Sequence, residues 1–231
     1  MPKPSAETPP NQVNLAPNSA DLAAELAPWR TPLSRALHRN RAQPFARYLQ
    51  LATVRGDGTP ANRTIVFRGF RGKTNQLMFI ADRRSEKIEQ LSDNPHAEAC
   101  WYFTKTREQF RLTGQVALVT AETEQADLLR DRQQIWQNIS AKAKLQFAWP
   151  QPKASRTEDN HEAFTPPAPD EQTPPPTFAL MLLTVSCVDH LALRGDPQTR
   201  YLYQLTGEGL TADCAADSAS TAQWQMSSVN P

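Results

Sequence analysis

The chain has 231 residues, with 25 Lys and Arg against 24 Asp and Glu; it offers no general field for nucleic acid or an acidic membrane, so any anion site must be local. Its three cysteines, Cys100, Cys187 and Cys214, are odd in number and lack C-x-x-C spacing, which argues against a disulfide framework or zinc knuckle and for buried free thiols. No apolar run approaches membrane-spanning length and the N-terminus lacks the apolar core of a signal peptide, so a soluble cytoplasmic protein is expected.

Residues 1–20 are rich in Pro, Asn, Ser and Ala and read as a mobile tail, with order beginning near Asp21 and a single domain over 21–231. L-A-A-E-L-A-P-W and L-S-R-A-L-H-R-N have helical spacing, and Pro28 and Pro32 predict a break between two short helices, with Trp29 as an anchor onto the core. From Phe45 the period becomes that of strands. F-A-R-Y-L-Q-L-A-T-V-R and A-N-R-T-I-V-F-R-G-F flank Gly56-Asp57-Gly58 as a hairpin, and Q-L-M-F-I-A-D follows as a further strand. A short helix is expected from about Ser85 to Asn94-Pro95, then the strands A-E-A-C-W-Y-F-T and E-Q-F-R-L-T-G-Q-V-A-L-V. Thr120 to Phe147 reads as helical, capped by Thr120, with Glu122 and Glu124 in its first turn and Leu128, Leu129, Ile135, Trp136 and Ile139 as its buried stripe. Between Pro150 and Pro176 the chain has eight prolines and almost no aliphatic residue, so 150–176 is expected to be a flexible surface excursion. Three strand signals close the chain, and the whole predicts a mainly β fold with helices, a small antiparallel barrel.

The chemistry concentrates between Asn62 and Gln115. Arg63 and Arg68 lie on one strand segment but are five apart, hence on opposite faces of an ideal strand, and can serve one ligand only if the strand bends or one of them reaches around an edge. Ser85 and Lys87 lie at a helix start, where unpaired N–H groups and the helix dipole favour a phosphate; an ordinary N-cap and a solvated lysine would read the same way. Gln109 sits beside Phe110 and Leu112, which would face the core, and it needs either solvent or a polar partner such as a heterocycle edge. The four histidines lack metal-ligand spacing, G-x-G-x-x-G is absent, and no nucleophile elbow occurs, so no metal is expected. Trp136 and Trp149 read as core residues, and Trp101 as packed in the barrel or at a subunit contact.

The same residues resemble a known family. R-T-I-V-F-R resembles the R-x-V-L-L-K segment of pyridoxamine 5'-phosphate oxidases, and F-I-A-D-R-R-S-E-K with N-P resembles their F-x-T-N-x-x-S-R-K…N-P. E-Q-F-R-L-T-G, T-R-Y-L-Y and the terminal W-Q-M-S-S-V-N-P are similar to R-Q-V-R-V-x-G, D-R-x-x-Y and W-x-x-x-R-L-x-P, in the same order. R-S-x-K, L-Q-F-x-W-P and V-D-x-L-x-L-R-G features resemble a divergent branch of related FMN-binding proteins. The resemblance implies a homodimeric split β-barrel with FMN at the subunit interface. By it Arg63 and Arg68 contact FMN, Lys87 binds its phosphate, Thr64, Ile65 and Val66 lie beside the flavin, and Gln109 and Arg200 also reach it. The expected arrangement has Arg63, Arg84, Lys87 and Arg68 at the phosphate and Gln109 and Arg200 at the ring edge, with either Arg68 or Arg200 at its pyrimidine side. Ser85 lies between Arg84 and Lys87.

The departures narrow the function. The family's phosphate-binding arginine is Glu86 here, with Arg84 as its candidate substitute, and a flavin-contacting tryptophan aligns with Leu191. The vitamin-binding R-x-H-D-R is represented by D-P-Q-T-R, and the Y-F-x-x-R-x-x-x-S segment has no counterpart around Trp136 to Lys144. The leading expectation is therefore an FMN-dependent oxidoreductase of unassigned substrate. The alternatives are a flavin-binding sensor, carrier or interaction module without turnover, a split barrel holding haem or a deazaflavin, and a genuine pyridoxamine or pyridoxine 5'-phosphate oxidase.

Overall fold

The computed structural model describes residues 26–156, 162–206 and 223–231, so the expectations for residues 1–20 and for Cys214 fall outside it. The helix α1 (Arg30–Asn40) runs through Pro32, where the sequence predicts a break, while the first expected helical piece lies largely outside the described residues. Pro32 occupies its first turn, where a missing N–H breaks no helical hydrogen bond. Trp29 at the N-cap is fully buried and packs edge-on to Trp224, as an anchor should.

Strands β1 (Tyr48–Val54), β2 (Pro60–Val66), β3 (Gly69–Phe70) and β4 (Leu77–Asp82) follow, then α2 (Glu86–Asp93), β5 (His96–Phe103) and β6 (Glu108–Val119). Helices α3 (Ala126–Asn138) and α4 (Ala141–Leu145) lead to β7 (Phe178–Ala192), β8 (Thr199–Thr206) and β9 (Gln223–Val229). All pairings are antiparallel, in the order β2-β1-β5-β6-β7-β4-β3, with β8 on the other half of β7 and β9 beyond it. The sheet curls until β2 and β4 approach each other. At that seam the chain changes partner: the Phe67 N–H donates to the Arg47 carbonyl, and the Arg68 N–H to the Met78 carbonyl at 2.9 Å.

Alternation sorts the side chains. The inner face carries Leu49, Leu51, Trp101, Phe103, Phe110, Leu112 and Val188, covered by α1 and α2. The outer face of the β6–β7 end carries Val119, Leu180 and Leu182, covered by Leu128 of α3. The helix begins at Ala126, six residues after the expected cap. The N-cap is Gln125 rather than Thr120, whose N–H donates to the Thr123 hydroxyl at 3.0 Å in a preceding turn, and Glu122 is paired with Arg83. Of the expected stripe, Leu128, Trp136 and Ile139 are buried, while Leu129 and Ile135 are half-buried. Buried Arg71 ties the β3–β4 turn to Asp127 and Asp131 of α3, both at 2.6 Å.

The described parts of the 150–176 excursion lie against these helices through polar anchors rather than aliphatic burial. Trp136 Nε1 donates to the Asp170 carbonyl at 2.9 Å, Lys144 Nζ to that of Glu171 at 3.1 Å and Arg132 to that of Pro175 at 2.7 Å. A proline-rich chain has few donors but keeps every carbonyl, so its fastening falls to donors on its neighbours.

Of the two places left open for Trp101, the structure selects the barrel core. It is fully buried, 5.0 Å from Phe67 and stacked at 5.1 Å on Phe103, with Nε1 donating to the Ala46 carbonyl at 3.0 Å. Trp101→Phe leaves a void and an unpaired carbonyl, and is expected to lower the unfolding free energy by about 2–3 kcal/mol in urea titrations. An unchanged midpoint would show that the ring is not held as described. Among the described residues, no helix is long and apolar enough to cross a membrane.

Candidate functional site

A cleft of about 530 Å³ opens at the barrel seam, between β2 and β4 on one side and α4 with the 149–156 segment on the other. Thr64, Val66 and Arg68 share one parity and line it, while Ile65, mostly buried in the core, contributes at its edge. Lys87 enters from the first turn of α2. Ser85 is the N-cap residue but makes no side-chain cap: its hydroxyl donates to the Asp82 carbonyl at 2.6 Å and accepts from Lys87 Nζ at 2.8 Å.

The cations here are under-neutralised. Lys87 has no carboxylate within salt-bridge distance among the described residues, and its ammonium is held below the usual value by burial first and then by the charge of Arg63. Arg68 likewise has no acidic partner among the described residues, its Nε is buried without a hydrogen bond, and burial lowers its pKa, with Arg47 adding to the effect. An anion in the cleft would give these lining cations the counter-charge they lack.

The other expected residues take different positions. Arg63 has the opposite parity and turns away from the cleft lining, donating to the Leu51 carbonyl at 3.1 Å, Thr53 Oγ1 at 2.5 Å and Gln90 Oε1 at 2.8 Å. It thereby fastens β1 and β2 to α2 and places a positive charge behind Lys87. Arg84 grips Asp82 through both Nε and Nη2, at 3.0 and 2.6 Å, and is not among the lining residues.

Gln109 and Arg200 lie on the outer face, in a row that runs Tyr102, Gln109, Leu191, Arg200 across β5 to β8. The adjacent row runs Thr64, Gln50, Cys100, Arg111, Asp189, Leu202. The two groups of expected residues are thus on one continuous face, bound into it by the ion pairs Arg111–Glu98 and Arg200–Asp189. With strands about 4.8 Å apart, Gln109 lies about 14 Å along the sheet from β2 and Arg200 about 24 Å. Phe110 and Leu112 face the core, as Gln109's position predicts. Cys100 and Cys187 are free and half-buried on this outer face.

The structure adds residues that sequence reasoning did not assign to a site. Trp149, expected in the core, lines the cleft, and Phe164 packs edge-on to it at 5.9 Å. Lys153 and Arg156 also line it, and only the L-Q-F-x-W-P motif pointed toward this segment. Among the described residues no cluster of His, Cys, Asp and Glu has the makings of a metal site.

The chain matches the family model for the pyridoxamine 5'-phosphate oxidase FMN-binding domain over residues 26–120. It is 32% identical over 188 residues to pyridoxine/pyridoxamine 5'-phosphate oxidase 2 of Arabidopsis thaliana, covering 81% of this chain and 94% of the relative. A pyridoxamine 5'-phosphate oxidase-related FMN-binding protein from Nostoc punctiforme PCC 73102 is 47% identical, with a TM-score of 0.81 over 90% of this chain and 100% of its own. PhzG from Burkholderia lata 383 shares the fold at a TM-score of 0.67 and 18% identity, over 96% of this chain and 100% of its own. The expected antiparallel split barrel is borne out.

Proposed function

Since this chain belongs to the FMN-binding pyridoxamine 5'-phosphate oxidase family, we propose that it is an FMN-dependent oxidoreductase whose seam cleft holds the FMN phosphate. One observation carries the placement: among the described residues, Lys87 and Arg68 face the cleft with no carboxylate within salt-bridge distance, the one acid that lines it, Asp82, being paired with Arg84. A phosphate ester supplies the missing negative charge and acceptors. Thr64, Ile65 and Val66 then run beside the flavin, Ser85 orients Lys87, and Arg63 holds α2 in place through Gln90. Bound FMN supplies the redox chemistry, and the protein supplies anchoring, orientation and electrostatics.

The active form in this reading is a homodimer. Gln109 and Arg200 are displaced along the outer face from the cleft of their own chain, and that face exposes Tyr48 and Tyr102. A two-fold pairing of this face would bring one protomer's Gln109 and Arg200 toward its partner's cleft.

The test is the visible spectrum and the mass of cofactor released from freshly purified protein, before and after adding FMN. The expected result is a flavin spectrum with about one FMN per chain, as for any stoichiometric cofactor. A colourless protein that ignores FMN would sink the proposal. The Arabidopsis relative, matched over 94% of its length, favours a second reading as a pyridoxine or pyridoxamine 5'-phosphate oxidase. Against it stands D-P-Q-T-R at 196–200, which lacks the arginine and histidine of the vitamin-binding motif. Turnover of either phosphate by the FMN-loaded protein decides between them.

A further inference from the structure

Glu86 is the residue of the site that fits a phosphate worst. It is the first residue of α2, one position before Lys87, and a free carboxylate there would repel a phosphate held by that lysine. The structure shows it paired. Lys153 Nζ contacts Glu86 Oε1 from the opposite wall of the cleft, 67 residues away in sequence. Lys153 holds a left-handed backbone, φ 65°, uncommon for a residue with a side chain, in the turn that follows Pro152. Its hydrogen bond to Glu86 is the first cause that keeps the Glu86 carboxyl below its usual range, with Arg55 and Arg63 adding to it.

The segment carrying Lys153 is built into the cleft. Pro150, Gln151, Pro152 and Arg156 line it, and the Arg156 guanidinium lies 4.8 Å over the Phe164 ring. Both acids nearest the cations are therefore matched in place: Asp82 by Arg84 and Glu86 by Lys153.

We propose that Lys153 is a specificity-determining residue for the phosphate of FMN: by neutralising Glu86 from across the cleft, it makes the start of α2 a site for a phosphate in this chain. The proline-rich excursion thus completes the charge balance of the cofactor site. This rests on the functional reading above, and flavins with and without phosphate separate the two.

The experiment titrates FMN and riboflavin, by quenching of flavin fluorescence, into wild-type protein stripped of flavin and into Lys153→Ala, Glu86→Gln and the double variant at low ionic strength. Circular dichroism confirms the fold of each. Lys153→Ala is expected to weaken FMN binding about 3–5-fold, because Glu86, exposed and screened by water but no longer paired, then repels the phosphate, and to leave riboflavin unchanged. Glu86→Gln combined with Lys153→Ala is expected to restore FMN binding to within about twofold of wild type. Equal FMN affinity of Lys153→Ala and wild type overturns the inference, as does equal loss of both flavins or a double variant no better than Lys153→Ala. A wild-type protein that binds no FMN overturns the functional reading itself.

Discussion

Lys87→Ala is expected to weaken FMN binding by about 10–100-fold, the value of a charge-assisted hydrogen bond of about 1.5–3 kcal/mol, without lowering the stability of the flavin-free protein. The two effects part company because the ammonium is a cost to the empty fold and an asset to the loaded one. In the structure it is largely removed from water, it lies near Arg63, and its hydrogen bond goes to the neutral Ser85 hydroxyl. Lys87→Arg keeps the charge and is expected to retain more affinity than Lys87→Ala. Equilibrium titration with FMN and urea unfolding of the apo variants read the two quantities separately. Equal FMN affinity in Lys87→Ala and wild type would remove this lysine from the phosphate site.

The same residue sets a pH dependence. Its pKa in the folded protein lies below that of the unfolded chain, through burial first and Arg63 second. Between those two pKa values the unfolded chain binds more protons, so the contribution of Lys87 makes apo stability rise with pH across that alkaline window. A bound phosphate favours the ammonium and pushes the pKa back up. FMN affinity is therefore expected to fall as pH rises through the lowered pKa of free Lys87, and Lys87→Ala should flatten that part of the profile.

Gly114→Ala is expected to be the most damaging single-methyl change, destabilising by at least about 3 kcal/mol or preventing soluble expression. Gly114 lies where the β6–β7 register shifts. A Cβ there would stand 2.0 Å from the Thr184 carbonyl oxygen and 2.9 Å from the Thr184 carbonyl carbon and the Val185 Cα, all backbone atoms of the neighbouring strand. No rotamer relieves such a contact, and only separation of β6 from β7 does. These strands carry the central ladder, so the cost spreads to Leu112, Val116 and Val185 in the main core. Gly56→Ala is the control, since a Cβ there meets nothing within 4 Å; it is expected to stay within about 0.5 kcal/mol of wild type. Urea midpoints compare the two, and a soluble Gly114→Ala protein with a wild-type midpoint would show that the strands are not packed this closely.

Much of this architecture was legible from period alone. The strands around Leu49, Phe79, Trp101 and Phe110 alternate cleanly because one face packs on the core, and a one-residue slip would expose that whole set. The start of α3 falls later than its composition predicts, for a local reason. Thr120 followed by Glu122 and Glu124 has the composition of a capped helix, but the Thr123 hydroxyl takes the Thr120 N–H into a turn first, and Arg83, brought near by the fold, claims Glu122.

The candidate site divides along the same line. Sequence by itself determined which cations, Arg63, Arg68, Arg84 and Lys87, cluster around β2 and the start of α2, because those groups lie within a few residues of strand and helix boundaries that local propensity defines. It also determined, by parity, that Arg63 and Arg68 face opposite ways. Only the tertiary structure decided which cations have no counter-charge among the described residues. Arg84 is spent on Asp82, Arg63 on Gln90 and Thr53, and Glu86 on Lys153, while Lys87 and Arg68 face the cleft. Charge balance depends on distance in space, and the curl of the sheet and the return of the 150–156 segment set those distances between residues that the sequence holds far apart.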